Sequence, residues 1–398
     1  MQASSVFLAA ARRTPIGKCG GALAALTARD LGVAAARAVL EETGVPGEQI
    51  AQVILGQARP AGTGPNPARQ VAYFAGLPET VPAFTINMAC GSGLQAIICG
   101  WQAIAAGRAD LILAGGVESM SNVPYLLPDL RWGMRMGTQP VVDAMYRDGF
   151  CCPLCDQVMG ETAETLARQY QISREAQDAL ALESQHRAQR ARERGWFQAE
   201  LAPVAVPARK GAPVTVDRDE HPRENATLEQ LARLPPVFAP PEEGGTVTPG
   251  NASGITDGGA ACLLASEQAL QEHGLTPLAR LVDWTVAGVD PAIMGIAPVA
   301  AVRELLDRQG LTLAEIDLIE LNEAFAAQVL ACAADLDLDQ ERLNVQGGAI
   351  ALGHPIGCTG ARITVTLAHA LRRTGGRRGI ATLCISGGQG LALLLERV

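Results

Sequence analysis

Residues 33–58 read VAAARAVLEETGVPGEQIAQVILGQA, and residues 299–324 read VAAVRELLDRQGLTLAEIDLIELNEA; the two align without a gap at a constant offset of 266. Each has apolar residues at helical spacing, a glycine stop (Gly44 or Gly310), and then an apolar run after Ile50 or Ile316 that reads as a buried strand. A second pair follows in the same order. LILAGGVES at 111–119 resembles TLCISGGQG at 382–390, each an apolar strand running into Gly-Gly. Chance can produce one such match, but two in one order indicate a duplicated α/β unit. Apolar strands alternating with amphipathic helices predict mostly parallel sheets covered by helices. The halves are expected at 1–267 and 268–398.

Residues 119–248 have a different texture, richer in Pro, Met, Arg and Glu. GETAETLARQY and REAQDALALESQHRAQRARER predict a polar helix pair, with Ser173 as N-cap of the second. Proline-rich stretches follow, and the core pattern resumes at GGTVTPGNASGITDGGAACLLAS, residues 244–266. This segment is expected to leave the first half and cover a cleft. VFLAA, near the start, reads as the first buried strand.

The chain has 398 residues, 48% apolar and 18% charged, which fits a soluble globular protein of two or more domains. No apolar run reaches the roughly 18 residues of a membrane span. The start of the chain lacks a basic n-region and a long apolar h-region, so a cytoplasmic protein is expected. Net charge is −9 with no basic cluster, which argues against nucleic acid or an anionic membrane surface as partner. Lys18 and Lys210 are the only lysines, so arginine must meet any anionic ligand. With no secretory signal, the ten cysteines do not predict a disulfide framework. CCPLC (Cys151, Cys152, Cys155) contains a C-x-x-C. No second pair stands at zinc-site spacing, so no metal is expected and the three read as packed or loop cysteines.

Four stretches place unusual residues at strand or helix ends. In INMACGSGLQAIICG, residues 86–100, Cys90 sits at a strand-to-helix turn. There the helix end favours a thiolate, and Gly91 and Gly93 allow a sharp turn and close approach of a substrate. The alternative is a buried inert cysteine. In NVQGGAIALGHPIGCTGAR, residues 344–362, His354 lies between glycine and proline, a candidate general base or a structural turn histidine. In LNEAFAAQ, residues 321–328, Asn322 and Glu323 either cap the next helix or serve a site at the sheet's carboxyl edge. In LCISGGQG, residues 383–390, Cys384 precedes Ser386-Gly387-Gly388, whose N–H groups can form an oxyanion hole.

Together, and in this order, these stretches resemble the thiolase family. RTPIG, GGVESMS, MGETAE, TPGNASGITDG, MGIAPVAAVRELL, NEAF, GGAIALGHPIG and the closing Cys-x-x-Gly-Gly carry the resemblance along essentially the whole chain. It implies two βαβαβαββ halves in a five-layer αβαβα arrangement, with about 119–248 as an inserted loop domain. The implied activity is reversible Claisen condensation of two acetyl-CoA, with no cofactor beyond the coenzyme A thioesters. A 3-ketoacyl-CoA thiolase for longer chains is the near alternative. By the same resemblance Cys90 carries the acyl group and His354 activates it. Cys384 moves the α-proton, and Asn322 positions a water that, with His354, stabilises the enolate. The N–H groups of Cys90 and Ser386 form the oxyanion hole. Arg223 and Ser253 are expected to contact coenzyme A, and Met159, Phe238 and Phe325 to line the pantetheine and acyl pocket. A homo-oligomer, dimer or tetramer, is implied as well.

The sequence departs from the family pattern in places. Ser386 stands where glycine is usual, which would strain the chain if the position needed positive φ. Gln346 replaces the usual asparagine, and CCPLCDQVMG is unlike the usual run before Met-Gly. A decarboxylating ketoacyl synthase would lack the second cysteine. A non-catalytic acyl-CoA-binding protein should have lost one of the four groups. A nicotinamide dehydrogenase would need G-x-G-x-x-G after the first strand, which GKCGGALAAL does not supply.

Overall fold

The computed structural model describes residues 5–208 and 210–398. The first half runs β1 (Val6–Arg13), α1 (Ala28–Thr43), β2 (Gln52–Gly56), α2 (Pro67–Ala75), β3 (Ala83–Ile86), α3 (Ser92–Ala105) and β4 (Leu111–Ser119). The chain then leaves the sheet through α4 (Met159–Gln169) and α5 (Arg174–Glu193), and returns as β5 (Thr256–Ser266). The second half is β6 (Ala279–Gly288), α6 (Ala297–Gln309), β7 (Leu318–Leu321), α7 (Ala326–Leu336), α8 (Ile356–Thr374), β8 (Arg378–Ile385) and β9 (Gln389–Arg397).

The helix signals read from the sequence are where expected. Gly44 and Gly310 end α1 and α6 at φ 62, and a Thr27–Asp30 capping box that the sequence reading did not single out starts α1. The Ser173 side chain accepts from the Ala176 N–H at 3.2 Å. The strands follow the order β3-β2-β4-β5-β1-β6-β9-β8-β7, the halves meeting where Val6–Leu8 pairs antiparallel with Ala279–Leu281. The third strand of the second half is reduced to a bridge between Ile319 and Leu343. There the Asn344 amide takes over, donating to the Leu321 carbonyl (2.8 Å) and accepting from its N–H (2.9 Å).

The expectation of mostly parallel sheets is corrected. β2 runs parallel to β3 and β4, and β7 to β8, but β5 and β9 run antiparallel to both neighbours. In the second half a tight turn at Ser386–Gly388 joins β8 to β9, and a turn that short can only reverse the chain. In the first half the long excursion fills the same position, yet Ser119 still pairs with Asp257. The glycine pairs differ accordingly. Gly387 and Gly388 have φ 87 and 81 in the turn, whereas Gly115 and Gly116 lie inside β4.

Five layers result. Helices α1 and α2 pack on one outer face, α6 and α7 on the other, and α3 and α8 fill the space between the sheet halves. Every residue of β4 and β5 is buried, because helices cover both faces. The two central helices approach closely at their N-terminal ends. A Cβ on Gly93 would stand 2.8 Å from the Gly357 carbonyl oxygen, and one on Gly360 would stand 2.4 Å from the Leu94 nitrogen. This convergence brings the Cys90 turn and the His354 loop together.

Candidate active site

Cys90, His354, Cys384 and Ser386 line one cleft of about 710 Å³. The excursion forms its other wall through Tyr146, Phe150, Met159, Arg223 and Phe238, so it does cover a cleft. Ser253 and Phe325 line it too, and the Phe238 and Phe325 rings meet edge to face at 6.2 Å. All five residues proposed for coenzyme A and acyl contacts therefore border the same space. Asn322 does not line it. It is fully buried, and neither end of its amide finds a partner in the protein. Burying such an amide costs about 1–3 kcal/mol, so its retention points to a polar partner at this position.

The turn at Cys90 is sharp for a reason other than the glycines. The residue with positive φ is Ala89, at 45°. The Ser92 hydroxyl holds it there, donating to the Ala89 carbonyl (2.7 Å) and accepting from the Met88 N–H (2.9 Å). Gly91 has φ −78, and a Cβ there would meet Ile385 at 2.5 Å. Gly91 and Gly93 thus serve packing within the protein.

The helix end is not the only influence on Cys90. Burial pushes the thiol up, outweighing the nearby Arg59 charge and the N–H groups of Ser386 and Cys90 that favour the thiolate. A base is therefore required. Burial, with Arg362 and Arg59 nearby, lowers His354 to about 3, so its imidazole is neutral and able to accept a proton. Nδ1 lies 2.6 Å from the Thr359 hydroxyl, which donates to the Pro355 carbonyl at 3.1 Å. When that hydroxyl donates to Pro355 it accepts from Nδ1–H, the tautomer whose Nε2 lone pair is free. Burial raises Cys384 well above the ordinary thiol value, and Cys90 adds to the effect.

Ser386 is not strained. It is absent from the described non-glycine residues with positive φ, and its N–H faces the Cys90 sulfur. Ser386→Gly keeps that donor, so turnover should stay within a few-fold. Ser386→Pro removes it and should cost about 10²–10³ in rate. Steady-state thiolysis of the folded variants checks both, and loss of activity in Ser386→Gly would give the hydroxyl a role.

Asn322 and Glu323 do not cap α7. Phe325 is its N-cap, with no side-chain capping bond. The Glu323 carboxylate accepts from the Ser184 hydroxyl (2.7 Å), the Asn344 amide (2.9 Å) and the Ile350 N–H (3.1 Å), tying the excursion to the His354 loop. Gln346 lies away from the cleft, accepting from Arg373 at 2.8 Å. Three residues at the site escaped the sequence reading. Thr359 orients His354. Glu118 accepts from the N–H groups of Ala58, Arg59 and Gly357, and burial raises it to about 6. Arg59 places a buried positive charge near Cys90 and His354. Glu118 had a signal, an acid ending an apolar strand as Glu323 does; Arg59 had none.

Among the described residues no cluster of three or more His, Cys, Asp or Glu could hold a metal ion. Nor is any helix long and apolar enough to cross a membrane.

Known proteins with this arrangement share the sequence as well. The chain is 52% identical to an acetyl-CoA acetyltransferase of Pseudomonas aeruginosa, the match covering 98% of this chain and 99% of the relative. It is 50% identical to a probable acetyl-CoA acyltransferase of Staphylococcus aureus, over 98% and 99%. The crystal structure of the Bacillus anthracis acetyl-CoA acetyltransferase superposes with a TM-score of 0.97 at 45% identity, covering 100% of both chains. Human mitochondrial 3-ketoacyl-CoA thiolase in complex with CoA gives 0.94 at 45% identity, over 99% of this chain and 98% of that one. The family model for the thiolase N-terminal domain matches residues 6–268 and that for the C-terminal domain residues 275–397. By its fold, its sequence and both of these matches, the chain belongs to the thiolase family.

Proposed function

We propose that this protein is an acetyl-CoA C-acetyltransferase, joining two acetyl-CoA to acetoacetyl-CoA and coenzyme A, or running the reverse. The observation that carries this reading is two thiols, Cys90 and Cys384, in one cleft with a neutral histidine. His354 takes the proton of Cys90 as its sulfur attacks the thioester. The N–H groups of Cys90 and Ser386 stabilise the tetrahedral oxyanion. Coenzyme A leaves with the proton held by His354, and the acetyl group remains on Cys90.

In the second half Cys384 passes its proton to His354. The burial that keeps this thiol neutral at rest also makes its thiolate a strong base. It takes the α-proton of the second acetyl-CoA. The imidazolium and the Asn322 amide, through a water, stabilise the enolate. The enolate attacks the acetyl carbon, and the departing Cys90 sulfur recovers its proton from His354. Every group ends in its starting state, with no net oxidation, so the sequence calls for no further cofactor. Arg223 and Ser253, which line the cleft, contact coenzyme A in this reading. The deciding experiment is thiolysis of 3-ketoacyl-CoAs across a series of chain lengths, beside acetyl-CoA condensation. The four-carbon substrate should have the highest kcat/KM; preference for longer chains would replace acetyl specificity with that of a general 3-ketoacyl-CoA thiolase.

We propose further that 1–267 and 268–398 are the two halves, that the protein is cytoplasmic, and that it is a homo-oligomer. Strand β3 is a sheet edge, and Phe84 on it and Tyr73 and Phe74 beside it are exposed. On the excursion Trp132 is 89% and Met136 94% exposed. Open edges and exposed apolar side chains favour pairing between copies. Light scattering at micromolar concentration should give a dimer or tetramer mass; a monomer would contradict this.

A further inference from the structure

The C-x-x-C at Cys152–Cys155 has no part in the chemistry above, yet its geometry is specific. Cys151–Cys152 pairs antiparallel with Gln157–Val158, so Pro153, Leu154, Cys155 and Asp156 form the turn of a small hairpin. Such a turn brings residues three apart to within about 7 Å. That largely overlaps the roughly 4.4–6.8 Å between Cα atoms that a disulfide accepts. The two side chains are close enough for Cys152 to bear on the Cys155 thiol. Cys152 is fully buried among Met159, Met294 and Cys384, whereas Cys155 is partly exposed beside Leu154, itself 69% exposed. Cys151 is adjacent in the same strand, so its side chain faces the other way.

We propose that Cys152 and Cys155 are a redox modification site that forms a reversible intrachain disulfide. The partly exposed Cys155 thiolate attacks a low-molecular-weight disulfide, forming a mixed disulfide and releasing one thiol. The Cys152 thiolate then attacks the Cys155 sulfur and releases the second. Two thiols of the protein are oxidised, one external disulfide is reduced, and the two protons leave with the released thiols. Burial raises the Cys155 thiol, so exchange is slow; the closeness of the pair sets the equilibrium.

The test equilibrates the whole protein in glutathione buffers from mostly reduced to mostly oxidised, then alkylates and digests it with trypsin. The peptide Asp148–Arg168 carries all three cysteines of the motif. In the oxidised buffers it should lose two hydrogens and keep one of its three alkylation sites. Dithiothreitol should restore all three, and Cys155→Ser should abolish the mass loss. Thiolysis on the same samples should stay within a few-fold while the cross-link is confined to the hairpin. Three alkylatable thiols across the whole series, a cross-link through Cys151, or a Cys90–Cys384 cross-link formed while the hairpin stays reduced would each overturn the assignment.

Discussion

Cys384→Ala should lose condensation and thiolysis by at least about 10²–10⁴, since positioned acid–base catalysis supplies that much and water is poorly placed to substitute. It should nonetheless take acetyl onto Cys90 and exchange labelled coenzyme A with acetyl-CoA. Acyl transfer needs a nucleophile, its base and an oxyanion hole, and none of these is the Cys384 thiol. Carbon–carbon bond formation also needs a group to take the α-proton. The variant should fold, because Cys384 is a small side chain in an apolar cluster with Met159 and Met294. Isotope exchange and condensation rates on one preparation make the comparison, with mass spectrometry locating the acetyl group. Loss of exchange as complete as the loss of condensation would mean that the two thiols do not divide the work.

His354→Ala should damage both halves by a comparable or larger factor. On the roles proposed above it removes the base for Cys90 and one of the two groups that hold the enolate. Exchange, spared in the other variant, should therefore fall as well, and retained exchange would assign the base elsewhere. The residue also has a pH signature. Its folded value is about 3 and its unfolded value near 6.5. Between these the unfolded chain binds more protons, so the contribution of neutral His354 to stability is present above about 6.5 and is lost as pH falls toward 3. His354→Gln should flatten the fall of the unfolding midpoint across that window. An unchanged slope would mean that His354 titrates alike in both states.

Much of the site was visible in the sequence because its chemistry sits where local patterns break. Cys90, His354 and Cys384 each interrupt or end an apolar run beside glycine or proline, and such breaks are detectable one segment at a time. Asn322 and Glu323 were visible as polar residues ending a strand, but their roles were not. Whether such a pair caps a helix depends on where the backbone turns, and here it turns three residues later, at Phe325. Thr359 needed the three-dimensional path of the His354 loop, since the tautomer it selects depends on a hydroxyl already committed to Pro355.

The duplication, the helix stops at Gly44 and Gly310 and the Ser173 cap followed from residue order alone, because periodicity and capping act over a few neighbouring residues. Tertiary structure decided the rest. It made the sheets mixed, because the last two strands of each half form a return pair whether the connection is three residues or a long excursion. It assigned Gly91 and Gly93 to packing against Ile385 and Gly357, contacts more than 260 residues away along the chain. It also decided the balance of influences on Cys90. Sequence places that thiol at a helix end, which favours the thiolate, but only the packed structure half-buries it, and that desolvation outweighs the Arg59 charge and the N–H groups that favour the thiolate.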